Sequence, residues 1–374
     1  MMSEVNERKI LTITKNDNVL DLVKIKVRLD EHFYIFSRFM ISRMLTLSRI
    51  KKLDAIQIAK DIKKQLIDRN SLEISSNELE AIIFQTMNKF GYQNNIQKYQ
   101  MVSNFYRHRT PMIIIIFGAP SIGKSLLANN LAERLNISNV LQTDIVEMVM
   151  RSINPEQFNY DQNEDFITKF KKNCRLIRRG VSTDISKCLS EGKAVIIEGS
   201  AAMPEYYLEA IDKQDPQNDE QQLQLITSFT QNDIKLKKPQ RKDLLLFNQQ
   251  IKLNTQFKII FPQPDQDLED DQQIQKHLKL CKDLNKIDQS HSMILGFLPI
   301  LSRNDHLYNI ENNTSKKIPK DLIEEKLNQY QSIQNELLKQ RSKCILLPIN
   351  LHNLEETLDT MHDIILQKIL DQST

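Results

Sequence analysis

Apolar residues recur along this chain with two periods, and the stretches where each holds predict the elements. Leu20–Ile35 alternates loosely, VKIKVRL and then HFYIF, which predicts two short strands. Phe36–Leu47 predicts a helix. In Leu53–Arg69 a clearer helix places Ile58, Ile62 and Leu66 on one face with Ala55 and Ala59. Ser75 followed by Glu78 is a capping-box pair, opening a third helix whose apolar Leu79, Ile82, Ile83, Met87 and Phe90 run to Gly91. Residues 1–109 thus predict a mainly helical module with a strand pair at its start, and Gln93–Arg109 leads out of it.

From residue 110 the pattern changes to short apolar runs alternating with longer helical stretches. Ile113–Phe117 is too apolar for a half-exposed strand and fits a buried parallel one. Further strands are predicted at Asn139–Gln142, Ala194–Ile197, Met293–Leu301 and Cys344–Ile349. Helices are predicted at Ile145–Arg151, Pro319–Arg341 and Leu354–Leu370. Asp165–Leu189 predicts one long helix with an apolar stripe from Phe166 to Cys188, despite Gly180, and Arg303–Lys317 reads as a polar, basic loop. This order predicts an α/β fold over 110–374, a doubly wound parallel five-stranded sheet. About 212–289 is dense in Gln, Asn, Asp and Lys and reads as a solvated insertion, with one strand-like piece, FKIIF, at 257–261.

The sharpest signal follows the first of these strands. Gly118, Ala119, Pro120, Ser121, Ile122, Gly123, Lys124 and Ser125 spell G-x-x-x-x-G-K-S, and Leu127, Leu131 and Leu135 then mark an amphipathic helix. Strand, glycine loop and helix are the context a phosphate-binding loop requires. The glycines let backbone N–H groups turn inward as an anion nest, and the helix N-terminus adds its dipole. Lys124 is expected to reach the β/γ-phosphates of ATP, and the Ser125 hydroxyl to ligate Mg²⁺. The chain has only seven glycines, so the pattern is not a by-product of glycine-rich sequence.

Composition changes this picture little. The 374 residues are 40% hydrophobic and 26% charged, which is globular, with room for two domains. A net charge of +3, concentrated in no region, gives no footprint for nucleic acid. Cys174, Cys188, Cys281 and Cys344 form no C-x-x-C pair and no metal spacing, so free thiols in a reducing compartment are expected. No apolar run is of membrane-spanning length, and MMSEVNERK has neither signal-peptide nor transit-peptide character, so the expectation is a cytoplasmic protein.

Several segments in order resemble the 2-phosphoglycerate kinase family: FSRFMISRML near the start, the P-loop, LNISNVLQTDIVEMVMR at Leu135–Arg151, KAVIIEGS, and YQSIQNELL at Tyr330–Leu338. The resemblance covers nearly everything except the insertion. It implies a P-loop kinase domain preceded by an ATP-cone-like module, using ATP and Mg²⁺ on a small-molecule phosphate acceptor. The chain also departs from that pattern. Glu147 stands where the family has the first Arg after Thr-Asp, although Arg151 keeps the second. Ser200-Ala201 replaces a Val-His pair, Asn309 and Ile310 replace an Arg and a Phe after His306, and Gln331 replaces an Arg.

Beyond the loop, Asp144 and Glu198 each end a predicted strand, where doubly wound folds place their chemistry. Asp144 is a candidate for orienting Mg²⁺ or taking the acceptor's proton, and also for an ordinary helix N-cap. Glu198 resembles a Walker B carboxylate, holding Mg²⁺ through water or acting as general base. Arg151 is a candidate substrate clamp. Arg303, His306, Lys316 and Lys317 are candidates for a lid or a solvated loop, whereas Arg175, Arg178 and Arg179 read as surface. Two functions follow: an Mg²⁺-dependent small-metabolite kinase, or a nucleotide-binding scaffold that has lost catalysis with the missing arginines. The second would use the insertion or the N-terminal module for a protein partner.

Overall fold

The computed structural model describes residues 22–29, 31–210, 257–261, 289, 291–312, 318–351 and 353–372. Lys316, Lys317, Cys281 and most of 212–289 lie outside the described residues. The chain divides into two compact units: Met1–Tyr106 with Arg134–Asn136 and Ile369–Thr374, and Arg107–Glu133 with Ile137–Lys368.

In the first unit β1 (Lys26–Leu29) and β2 (His32–Ile35) form an antiparallel pair. Then come α1 (Arg38–Leu47), capped by the Ser37 hydroxyl, and α2 (Lys52–Asp68), which buries Ala55, Ile58, Ala59, Ile62 and Leu66 as the periodicity requires. β3 (Glu73–Ser75) adds to β1 in parallel, and α3 (Ser76–Lys89) opens on the complete Ser75–Glu78 capping box. α4 (Ile96–Arg107) follows and reaches the boundary between the units after Tyr106. The pattern did not announce β3 or α4. β3 buries only Ile74, and α4 only Tyr99, Val102 and Phe105, so neither carries a full periodic stripe.

The second unit is built on β4 (Met112–Ile116), whose five residues are all buried, so both of its faces are covered. After it come α5 (Lys124–Leu135), β5 (Val140–Gln142), α6 (Thr143–Ile153), α7 (Phe166–Gly180), α8 (Ser182–Glu191) and β6 (Ala194–Glu198). A short α9 (Pro204–Tyr207), β7 (Leu208–Ala210) and β8 (Phe257–Ile259) follow. β9 (Met293–Ile300), α10 (Arg303–Glu311), α11 (Ile323–Leu338), β10 (Ile345–Pro348) and α12 (Leu354–Gln372) close the chain. The sheet runs β10-β9-β4-β6-β5 with every pair parallel, which fits an α/β P-loop kinase-like fold.

Four expectations are corrected. The single helix over Asp165–Leu189 is two, α7 and α8, separated at Val181, whose N–H caps α7 by donating to Ile177 O at 3.2 Å. Gly180 weakens the helix just before the break, and the apolar stripe continues across it, so periodicity alone cannot reveal it. The stretch after Arg303 is a helix, not a loop. Ser302 caps it by accepting from Asp305 N at 3.1 Å, but it buries only His306 and Ile310, too few to show a helical stripe.

Arg178 is not on the surface. It is 1% exposed, donates from Nε to Tyr206 O at 3.0 Å, from Nη1 to Ser182 Oγ at 2.9 Å and from Nη2 to Ile260 O, and lies against the Tyr207 and Phe261 rings. Finally, part of 212–289 belongs to the core. β8 pairs antiparallel with β7, Ile259 and Phe261 are buried with Phe117 and Ile177, and the Gln289 carboxamide bonds both Ile259 N and Ile259 O.

Candidate functional site

The site lies where β4, β5 and β6 end. Leaving β4, the chain turns through the loop with positive φ at Gly118, Ser121 and Gly123, and enters α5 at Lys124. Gly123 has φ +94, a conformation that side chains rarely adopt, so glycine is needed there to aim the following amides inward. Lys124 is 5% exposed and donates to Ala119 O at 2.7 Å and Ser200 Oγ at 3.3 Å. Burial lowers its pKa to about 8, against the opposing pull of Asp144 and Glu198, which favour the ammonium.

Glu198, at the end of β6, is 2% exposed. Burial raises its pKa, while a hydrogen bond with Ser125 and the charge of Lys124 oppose the rise. Its Oε2 is buried with no hydrogen-bond partner, and so is Thr143 Oγ1. Gly199 follows with φ +145. A Cβ there would meet Thr143 Oγ1 at 1.9 Å, so only glycine allows β6 to end this close to the start of α6. Asp144 sits in the first turn of α6, not at its cap. Its Oδ1 accepts from Ser200 N at 2.8 Å, and its Oδ2 is 3.5 Å from Ser200 Oγ.

Lys124, Ser125, Asp144 and Glu198 are therefore brought together. Ser200 joins them as a residue that sequence reasoning passed over, its hydroxyl within reach of both Lys124 and Asp144. In the sequence it stands out only as part of the Ser200-Ala201 departure that follows the Glu198-Gly199 strand end.

The basic candidates are engaged elsewhere. Arg151 donates from Nε to Glu147 at 2.8 Å and from Nη2 to Asn173 at 3.4 Å, and its guanidinium lies 4.2 Å from the Phe158 ring centre. Arg303 pairs with Glu324 and donates to Gln331 and, at 3.2 Å, to Asn328, all on α11. His306 instead reaches the loop, with Nε2 2.8 Å from Pro120 O. Gln334 reaches it as well, accepting from Ala119 N at 3.0 Å.

The oxygen set of Ser125, Glu198 and Asp144 is hard and anionic, and an orphaned carboxylate oxygen sits within it, which fits Mg²⁺. Among the described residues no group of three or more His, Cys, Asp or Glu gathers to hold a metal alone.

No protein-family model matches the chain. Curated relatives do. The 2-phosphoglycerate kinase of Methanopyrus kandleri is 28% identical over 197 residues, 48% of this chain and 60% of that protein. That of Methanocaldococcus jannaschii is 30% identical over 184 residues, 45% of this chain and 59% of its own. Over about half of its length this chain is similar to 2-phosphoglycerate kinases. The likeness is partial, because the chain spans less than two-thirds of the length of these 2-phosphoglycerate kinases. Among solved structures, the full-length tRNA isopentenylpyrophosphate transferase from Bacillus halodurans aligns over 71% of this chain and 98% of its own. Its TM-score of 0.30 and 12% identity are too low to inform the fold. No helix among the described residues is long and apolar enough to cross a membrane.

Proposed function

We propose that the chain is an ATP- and Mg²⁺-dependent kinase that phosphorylates a hydroxyl group of a small metabolite, with 2-phosphoglycerate the first candidate by likeness to its relatives. The observation that carries this reading is the convergence of Lys124, Ser125, Asp144 and Glu198 around one loop at the strand ends. In this reading the amides of Ser121–Ser125 hold the nucleotide's phosphates, and Lys124 balances their charge. Ser125 and Glu198 hold Mg²⁺, Glu198 through water, with Asp144 beside them. The metal, when bound, neutralises charge on the transferred phosphoryl. Asp144, oriented by the Ser200 amide, accepts the proton of the acceptor hydroxyl. Arg151 clamps the acceptor only after leaving Glu147.

A second reading, a nucleotide-binding scaffold with weakened catalysis, is favoured by one observation. Arg151 and Arg303, candidates for reaching the acceptor or the transferred phosphoryl, are each ion-paired to a glutamate. Coupled ATP-consumption assays on 2-phosphoglycerate and a panel of polyhydroxy acids, with Lys124→Ala as control, separate the two. Lys124-dependent turnover supports the kinase. Nucleotide binding with no turnover on any acceptor supports the scaffold.

A further inference from the structure

The loop is held from outside by two side chains that the reading above does not use. Gln334, on α11 and 9% exposed, spends its whole carboxamide on backbone: Oε1 accepts from Ala119 N at 3.0 Å, and Nε2 donates to Pro299 O, near the end of β9, at 2.8 Å. His306, on α10 and 4% exposed, meets Pro120 O at 2.8 Å through Nε2. A carbonyl can only accept, so Nε2 carries the proton. The imidazole is stacked on Tyr330 of α11, ring centres 6.0 Å apart and planes at 23°, which fixes its direction.

These contacts sort the amides of the loop. The Ala119 N–H is turned away and satisfied by Gln334, and Pro120 has no N–H to offer. Neither Ala119 nor Pro120 can then offer an N–H to an anion, which puts that task on the amides from Ser121 onward, beside Lys124. With Ala119 tied to the end of β9 and Pro120 tied to α10, the first half of the loop is anchored on one side, leaving the second half to form the nest.

We propose that His306 and Gln334 are positioning residues for the phosphate loop, fixing the Ala119–Pro120 segment so that the nest from Ser121 to Ser125 is formed before a phosphate chain arrives. The inference rests on the reading of Gly118–Ser125 as a nucleotide site. Preorganisation of this kind raises affinity without touching the ligand, because the ordering cost is met in the free protein.

The test is calorimetric titration of the full chain with AMP-PNP and Mg²⁺, with thermal melting of each variant alongside. His306→Phe keeps a ring against Tyr330 and loses the donor. His306→Gln loses the ring and keeps an N–H donor at similar reach. Gln334→Met keeps the volume and loses both bonds. His306→Phe and Gln334→Met should each weaken binding about ten-fold, the scale of one or two lost buried hydrogen bonds. His306→Gln should lie within about three-fold of wild type. The inference is overturned if His306→Phe and Gln334→Met bind within about two-fold of wild type while Lys124→Ala has lost binding. It is equally overturned if His306→Gln binds no better than His306→Phe, since ring packing would then be the whole effect. Should His306→Phe not fold, the Gln334→Met arm decides alone. If Lys124→Ala binds as well as wild type, the nucleotide reading falls, and this inference with it.

Discussion

Raising the pH from 7 to 9 removes the charge from Lys124 and should move two measurable quantities in opposite directions. In the folded chain burial holds this ammonium at about 8, against 10.5 for an ordinary lysine. Nucleotide phosphates need the charged form. In the free protein about nine-tenths of Lys124 is charged at pH 7 and about one-tenth at pH 9, so affinity for AMP-PNP with Mg²⁺ should fall about ten-fold across that interval. Stability runs the other way. Between about 8 and 10.5 the unfolded chain holds more protons at this residue than the folded one, so stability of the nucleotide-free protein rises with pH. Across the full window the gain is about 3 kcal/mol, as an order of magnitude.

Titration calorimetry at constant ionic strength measures the first effect. Lys124→Arg, charged throughout, reports any titration of the nucleotide itself. Urea unfolding of wild type and Lys124→Met at pH 7, 8.5 and 10 measures the second, because other titrating groups cancel in the difference. Wild-type affinity that does not change between pH 7 and 9 would refute the argument. So would a stability difference between wild type and Lys124→Met that is the same at every pH.

Three further outcomes are expected. Arg178→Met should destabilise the protein by about 3–5 kcal/mol in urea unfolding, because it leaves the Tyr206 and Ile260 carbonyls without their donor; a loss under about 1 kcal/mol would return Arg178 to a surface role. Phe261→Ala should cost about 3–5 kcal/mol by the same assay, since Phe261 is 1% exposed within the core, and excising 212–289 whole should give a chain that does not melt cooperatively. Glu198→Gln should lower turnover on any acceptor found by about 10²-fold or more and make it less sensitive to Mg²⁺, while thermal stability holds or rises as a buried carboxylate becomes neutral.

The parts of this structure that a sequence can announce are those with a period or a fixed spacing. Ile58, Ile62 and Leu66 repeat at the helical interval and are buried on one face of α2, and Ser75 with Glu78 forms the box their spacing implies. Ile113–Ile116 form an unbroken apolar run, and the strand they make is the central one of the sheet. G-x-x-x-x-G-K-S needs no partner from elsewhere in the chain to be read. Contacts that depend on distant segments meeting were not legible. Arg178 looks like any charge on a polar helix until Ile260, 82 positions away, accepts from it. Gln334 lies 215 positions from Ala119, and neither the helix predicted at Pro319–Arg341 nor the resemblance of YQSIQNELL to a family helix shows that its carboxamide reaches the loop. Ser200 could be seen only as a departure from a pattern, and its hydroxyl gains meaning when β6 brings it beside Lys124. The helix at Arg303 was hidden because its buried residues are two of nine.

The central claim is that Gly118–Ser125 binds a nucleotide through Lys124 and Mg²⁺. Calorimetric titration of AMP-PNP into wild type and Lys124→Ala, each with Mg²⁺ and with EDTA, measures it directly. The account predicts one site on wild type that needs Mg²⁺, and a loss of about 100-fold or more in affinity in Lys124→Ala with its melting temperature retained. Equal affinity in the two proteins, or binding indifferent to EDTA, would contradict it.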